Sequence, residues 1–371
     1  MREPVCEYAH TYARFGLLES LVSITNQPLG NPARRPDLAD VSLPDLYAHF
    51  AKTGLIRRLL ELARDEDLGV NTKKPNDQSP WQGDITSRVT AAAWHTFARR
   101  NTPTTDNNRV IRAAIVTRHD GVIAGLASLP ELVALMAPSC TLRILAADGD
   151  LVTLPVGSRS VTLAEVSGPM REVLALERTA LNLLGRLCGV ATRTKQFVDA
   201  IPAGSRAKLF DTRKTTPGLR VLEKYAVRCG GGRSHRIGLY DAVLIKDNHI
   251  AGVALHDLGR FVATAAAHAR SLESAPTFIE VEVDTIEQYK VLLTLPLGTI
   301  DIMLLDNMGL TLLSQATAMR DAANPLLQLE ASGGVSLETL PALARTGVDR
   351  ISAGTLTHGS VSLDVAMDVL D

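Results

Sequence analysis

Residues 277–307 read TFIEVEVDTIEQYKVLLTLPLGTIDIMLLDN. Two short apolar runs stand in it, TFIEVEVD (277–284) and DIMLLDN (301–307). Runs of the same kind lie to either side: KLFD (208–211), DAVLIKD (241–247), LQLEAS (327–332) and DRISAG (349–354). They recur at a spacing of roughly 20–35 residues, and helical patterns fill most of the gaps. That spacing leaves room for crossover helices and so predicts parallel strands rather than hairpins. Several such units in series predict a (β/α) barrel, incomplete in strand number, with a doubly wound open sheet as the alternative.

Upstream, PMREVLALERTALNLLGRLCGVATRTKQFVDA (169–200) has Pro169 near its start and few breakers, which predicts one long helix. Before it come four strand-like pieces: RAAIVTR (112–118), GVIAGLAS (121–128), TLRILAAD (141–148) and LVTLPVG (151–157). Asp148-Gly149-Asp150 suits a hairpin turn between the last two. This portion reads as α+β with an antiparallel sheet. GLIRRLLELARDEDL (54–68) has helical spacing of its apolar residues. Residues 70–84 and 100–109 are polar and read as loops or insertions. Residues 1–53 read as an extension, with a short helix around 12–24 and a Pro-rich stretch from Pro28 to Pro44. The division is therefore 1–53, 54–168 and 169–371.

The 371 residues are 46% hydrophobic and 21% charged, the balance of an ordinary globular chain. No apolar run is long enough to span a membrane, and the start lacks a signal-peptide core. The four cysteines, Cys6, Cys140, Cys188 and Cys229, are far apart without a CxxC pair, so a reduced, cytoplasmic chain is expected, not a zinc or disulfide framework. The formal net charge is -1 with few aromatics, which argues against nucleic-acid binding. Within this neutral chain, residues 206–249 are crowded with cations. Such unevenness points to a local site for a multiply charged anion, and Gly230-Gly231-Gly232 would allow backbone to approach a ligand closely.

Each apolar run ends in reactive groups, and in a barrel those ends share one rim, where active sites lie. Asp211-Thr212-Arg213-Lys214 follows KLF, and Lys246 follows AVLI. Glu280, Glu282 and Asp284 alternate along one strand and share a face. Glu282 with Asp306 suits a Mg²⁺ position or a mount for ribose hydroxyls, while Glu280 and Asp284 could instead neutralise lysines. Ser332-Gly333-Gly334 and Ala353-Gly354-Thr355 are two consecutive small-residue turns of the kind that bind phosphate. Arg220, Lys224 and Arg228 fall at i, i+4, i+8 and read as a solvated helix face. Lys246, after a wholly apolar strand, does not fit a solvated face. His235 suits either a titrating group or a structural histidine. No nucleophile elbow, Walker loop or dinucleotide fingerprint is present, which favours chemistry by positioning and electrostatics.

Five segments carry a resemblance: ERTALNLLGRLCGVAT (177–192), DTRKTTPGLRVLEKYAVRCGGGRSHRIGLYDAVLIKDNHI (211–250), EVEVDT (280–285), LEASGG (329–334) and DRISAGTLTH (349–358). With IMLLDN (302–307) they make the chain resemble the quinolinate phosphoribosyltransferases, also called carboxylating nicotinate-nucleotide pyrophosphorylases. The resemblance implies an N-terminal α/β sandwich with an antiparallel sheet, to which C-terminal helices can return, followed by an open (β/α) barrel. It implies a cytoplasmic homodimer, or a higher assembly such as a hexamer, with shared active sites and no nucleic-acid or membrane partner. The implied reaction joins quinolinate to phosphoribosyl pyrophosphate with Mg²⁺, giving nicotinate mononucleotide, pyrophosphate and CO₂ for NAD biosynthesis. Carried onto this chain, Arg178 looks like an arginine lent by the partner, and Thr212, Arg213, His235 and Arg236 like the rest of the dicarboxylate pocket. Lys214 and Lys246 look like the lysines near pyrophosphate and the reacting carboxylate, and Glu282 and Asp306 like the carboxylates of ribose and metal. Ser332, Gly333, Gly334, Ala353, Gly354 and Thr355 look like the phosphate turns. Two departures stand out: Glu66-Asp67-Leu68-Gly69 is separated by an insertion from Gly83-Asp84-Ile85-Thr86, and residues 1–53 and 95–109 match none of the family's motifs. The competing readings are a homologue with another acceptor, such as the molybdenum-transport-associated ones, and a non-catalytic metabolite sensor.

Overall fold

Strand and helix follow from the two periodicities just described. The computed structural model describes residues 38, 41–69, 84, 86, 89 and 109–370. The helix expected near 12–24 and almost all of the polar segments 70–84 and 100–109 lie outside the described residues.

Helix α1 (Leu43–Lys52) starts where the Ser42 hydroxyl accepts the Asp45 N–H at 3.3 Å, with Pro44 in its first turn. Its Leu46 and Phe50, one turn apart, are fully buried. The tail of the segment read as an extension is therefore part of the folded body. Tyr47 meets the Tyr225 ring edge-on and donates from its hydroxyl to Ser128. Helix α2 (Leu55–Leu68) buries Ile56 and Leu60 and pairs Arg57 with Glu61 on its wet side.

Four strands form the first sheet: β1 (Val110–Thr117), β3 (Thr141–Ile144), β5 (Val161–Pro169) and β12 (Val365–Val369), in the antiparallel order β12-β1-β5-β3. Two short strands, β2 (Gly121–Val122) and β4 (Leu151–Val152), pair with each other and with no other strand among the described residues. The hairpin expected around residues 148–150 is thus absent. The Asp148 carboxylate instead accepts the N–H groups of Leu126 and Ala127, at 2.9 and 3.1 Å, and the Tyr225 hydroxyl at 2.9 Å. That ties the turn to helix α3 (Leu129–Met136) and its 3₁₀ lead-in, and sends β4 to β2. What returns to this sheet from the C-terminus is strand β12, not helices.

Helix α4 (Met170–Ala200) runs straight on from β5 and links the two parts. Six parallel strands follow: β6 (Lys208–Phe210), β7 (Val243–Ile245), β8 (Ile279–Val283), β9 (Ile302–Asp306), β10 (Gln328–Ser332) and β11 (Arg350–Ser352). Their order is β6-β11-β10-β9-β8-β7, every neighbouring pair parallel. Read as a ring, this is chain order with one seam, between β6 and β7, so the sheet is an open barrel and not doubly wound. Arg233 enters the seam as a parallel bridge to Phe210, its N–H donating to Leu209 O at 2.8 Å.

Two features of the cationic stretch differ from their sequence reading. Helix α5 (Arg220–Cys229) carries the i, i+4, i+8 cations, but Lys224 is wholly buried and paired to buried Asp211, and Arg228 donates to Val41 O at 2.7 Å. The glycine run approaches a helix, not a ligand: a Cβ at Gly230 would lie 2.3 Å from Ala191 O on α4. No helix among the described residues is long and apolar enough to cross a membrane.

Candidate functional site

The carboxyl ends of the six strands bring the expected groups to one rim. In the sheet register, Asp306 lies beside Ser332 and Ser332 beside Ser352. The segments 211–214, 246–247, 282–284, 306–307, 332–334 and 353–355 therefore all leave the barrel at the same end.

On one side is a carboxylate cluster. Glu282, Asp284 and Asp306 place carboxylate oxygens within 4.8 Å of one another. Lys246 is ion-paired to Glu282, and its side chain is 41% exposed, so it reaches from strand end to open rim. Burial pushes the Glu282 carboxyl above its ordinary value; Lys246 pulls against this, and the charges of Asp306 and Asp247 add to it. Asn307 Nδ2 donates to Asp306 Oδ2 at 2.7 Å. Asn307 itself adopts φ 52°, and a Cβ at Gly333 would fall 2.0 Å from its Oδ1. Gly333 therefore has to be glycine for β9 and β10 to end this close together.

On the other side are cations. Arg236 is buried, and burial, followed by the charge of neighbouring Arg213, holds its guanidinium below its ordinary value. The Arg213 Nε is buried with no hydrogen-bond partner among the described residues. Lys214 is exposed, and its N–H donates to the Thr212 hydroxyl at 3.0 Å. Of the two phosphate-type turns, Ala353-Gly354-Thr355 leads directly into helix α11 (Thr355–His358), whereas Ser332-Gly333-Gly334 is separated from the next helix, α10 (Leu340–Arg345).

His235 is placed differently from its expected pocket position. Its ring turns into the barrel interior, where Nε2 lies 2.9 Å from Glu280 and 3.4 Å from Glu330, both fully buried. Its Nδ1 accepts the Arg236 N–H at 2.8 Å. In this arrangement both ring nitrogens face protein groups, Nδ1 the Arg236 N–H and Nε2 the two carboxylates. Glu280 accordingly serves this histidine and not a lysine, and Arg350 completes the buried group through Glu330 at 2.6 Å. Burial disfavours charge on the ring, but Glu280 and then Glu330 outweigh it and raise its pKa to about 9. The imidazolium forms at the expense of the Nδ1 hydrogen bond.

A raised histidine pKa gives stability that is complete below about 6.5, its ordinary value, and is lost as pH climbs through about 9. The expected result is that the melting-temperature advantage of the wild type over a His235→Gln variant is largest near pH 6 and smallest near pH 10. Thermal scans of both proteins across that range check it.

Arg178 is not gathered with these groups. Its side chain on α4 is 76% exposed, the nearest carboxylate is Glu177 at 3.5 Å, and no hydrogen bond ties it to the rim among the described residues. A shallow groove along helix α7 (Leu255–Arg270), lined by Asp257, Arg260, Phe261 and His268, shares no residue with the rim.

Known proteins carry the same architecture. A Synechocystis protein described as a probable nicotinate-nucleotide pyrophosphorylase [carboxylating] is 40% identical over 70% of this chain and 83% of its own length. The Mycobacterium leprae nicotinate-nucleotide pyrophosphorylase [carboxylating] is 41% identical over 70% of this chain and 87% of its own. The solved nicotinate-nucleotide pyrophosphorylase of Francisella tularensis superposes with a TM-score of 0.68 at 29% identity, covering 90% of this chain and 99% of that one. The corresponding Ehrlichia chaffeensis structure gives 0.67 at 32%, over 85% and 98%. Residues 84–188 match the N-terminal domain and residues 190–368 the C-terminal domain of quinolinate phosphoribosyl transferase, and the chain belongs to that family.

Proposed function

We propose that this protein transfers the phosphoribosyl group of phosphoribosyl pyrophosphate to the ring nitrogen of quinolinate. Pyrophosphate and CO₂ leave, and nicotinate mononucleotide is formed for NAD biosynthesis. The observation that carries this reading is the pair Arg213 and Arg236: two crowded guanidiniums, one with a buried unpartnered Nε, beside a carboxylate cluster on the same rim. Two such groups suit a planar dicarboxylate, which each can grip with paired hydrogen bonds. A site for phosphate alone would not need the carboxylates opposite.

In this reading Arg213 and Arg236 hold the two carboxylates, with Thr212 beside them and His235 directly behind Arg236. Lys214 and Lys246 flank the leaving pyrophosphate and the reacting carboxylate. Glu282 and Asp306 face the ribose, whose anomeric carbon becomes electron-poor as pyrophosphate departs, and negative charge there stabilises it. The turns 332–334 and 353–355 take the phosphate groups. Once the nitrogen is ribosylated it carries positive charge, which stabilises the electron pair left on the adjacent carbon as CO₂ departs, and that carbon then takes a proton from solvent to form the C–H bond of the product.

The all-oxygen set Glu282, Asp284 and Asp306 fits Mg²⁺, which joins one or two protein carboxylates to substrate phosphates. Bound there, the ion would supply charge to offset the pyrophosphate. We assign Arg178 to the site of a neighbouring copy in a homodimer or larger assembly, a role its exposure on α4 supports. A cytoplasmic location accompanies the reading, supported by Cys188 and Cys229 as buried free thiols. The test is direct: purified protein with quinolinate, phosphoribosyl pyrophosphate and Mg²⁺ is expected to form nicotinate mononucleotide, read by chromatography. A folded protein that forms none overturns the proposal.

A further inference from the structure

Helix α4 does more than link the two parts, because its Arg186 ties together two rim segments that meet nowhere else in sequence. Arg186 Nε and Nη2 donate to Glu223 Oε1 at 2.9 and 2.6 Å. The same guanidinium donates to Thr357 O at 2.7 Å and to Ser360 O at 3.0 Å, in the segment that follows the 353–355 turn. Glu223, on α5, is fully buried. Its Oε2 accepts the Thr216 N–H at 3.0 Å and its Oε1 the Thr216 hydroxyl at 2.8 Å, in the loop that carries Arg213 and Lys214. The circuit closes at Thr357, whose hydroxyl donates to Lys214 O at 2.6 Å.

Other contacts reinforce it. Arg193, seven residues along α4, donates to the carbonyl and hydroxyl of Thr355 at 2.8 and 2.7 Å. Leu363 N–H donates to Gly185 O on the same helix at 2.9 Å. The Lys214 side chain lies against Gly354, where a Cβ would come 2.9 Å from its Cδ. The spacing between the Lys214 backbone and the phosphate turn is thus held by a fork with fixed donor directions and a buried carboxylate, in addition to the Thr357 hydroxyl.

We infer that Arg186, Glu223 and Thr357 are positioning residues that hold the Lys214 loop and the 353–360 segment in one register and thereby set the affinity for phosphoribosyl pyrophosphate. The inference deepens the proposed function and rests on its assignment of this rim to that substrate. Arg186 is engaged by five hydrogen bonds within the protein, the fifth a long one to the Thr216 hydroxyl at 3.5 Å, and acts through the backbone it holds. A lysine there keeps the charge, but its donors sit on one nitrogen and cannot span the positions that the three guanidinium nitrogens reach. Glu223 still holds Thr216 in that case, so the loop bearing Arg213 keeps its anchor while the 353–360 segment loses its two carbonyl ties to Arg186.

The test uses Arg186→Lys and, because replacing a half-buried guanidinium can impair folding, Thr357→Val, which removes only the hydroxyl that reaches Lys214. For both, KM for phosphoribosyl pyrophosphate is expected to rise about tenfold while KM for quinolinate stays within about twofold. Melting temperatures report whether the fold is intact. A purely structural role would lower active enzyme without separating the two KM values. Equal changes in both KM values, or a phosphoribosyl pyrophosphate KM within twofold of wild type in both folded variants, overturns the inference. If the wild type forms no product, the proposed function fails on its own. The inference is then read by calorimetric titration with phosphoribosyl pyrophosphate, where equal affinity of wild type and variants, or no binding to the wild type, overturns it.

Discussion

Lys246→Met is expected to lower kcat by about 10²–10³-fold, the cost typical of removing one preorganised group that stabilises transition-state charge. Lys246 ends an apolar strand, so its position is set by β7, and its ammonium meets Glu282 at the open rim. Methionine has similar length and apolar stem, which keeps the packing and removes the charge. The loss leaves Glu282 facing Asp306 and Asp247 without its ion-pair partner, and its carboxyl, already above its ordinary value, moves higher. The acid limb of the pH–rate profile is therefore expected to move to higher pH in the variant, together with the fall in kcat. Lys208→Met, at the far end of β6 and exposed, provides the control and is expected to leave kcat unchanged. Steady-state kinetics from pH 5 to 9 on the three proteins, at about 0.15 M salt, check both effects.

Lys224→Met is expected to destabilise the fold by about 3–5 kcal/mol, the usual cost of removing one partner of a buried ion pair. Both Lys224 and Asp211 are fully buried, and the ammonium also donates to His235 O at 3.2 Å. Asp211 Oδ1 accepts the His235 N–H at 2.8 Å, while its Oδ2 already lacks a partner among the described residues. Without Lys224 the carboxylate is left with one backbone donor in an apolar surround. Adding Asp211→Asn to the first change removes the stranded charge, so the double variant is expected to recover part of the loss. Denaturant melts of the single and double variants check this, and a double variant no better than the single would show that packing, not charge, dominates. Activity follows, because Asp211 and Lys224 together fix the backbone on which His235 and Arg236 stand.

The parallel strands were legible because each is a short apolar run with a reactive end, and β8 illustrates why. Buried on both faces, Ile279–Val283 leaves no solvent face to blur its pattern, and its carboxylates stand out. Strands β5 and β12 were not legible. VTLAEVSGP has Thr, Glu and Ser along its length and runs without a turn into the long helix, so its strand period merges with a helical one. VAMDV, partly exposed at an edge, is defined by pairing with β1 from the other end of the chain, which no local pattern encodes. Long-range pairing also defeats the reading of Asp148: Asp-Gly-Asp is a fair turn signal, but its carboxylate is recruited by backbone 21 and 22 residues earlier.

The rim residues were legible as a set, and Lys214, Lys246, Glu282 and Asp306 arrive at one end of the barrel. Their support was not. Lys224 sits at the same helical spacing as Arg220 and Arg228, and nothing local tells a buried lysine from a wet one until its partner Asp211 is placed. Arg186 and Glu223 are ordinary charges on helical patterns, and their meaning comes from the chain that passes between them. His235 is the mixed case: the sequence allowed a structural or a titrating role, and the fold gives it to Glu280, Glu330 and the Arg236 backbone.

The most direct measurement of the central claim follows both leaving groups at once. With quinolinate carrying labelled carbon in its 2-carboxylate, each turnover is expected to release one labelled CO₂ and one pyrophosphate, with nicotinate mononucleotide in equal amount. Pyrophosphate released without labelled CO₂, or labelled CO₂ released without phosphoribosyl pyrophosphate present, would contradict the account.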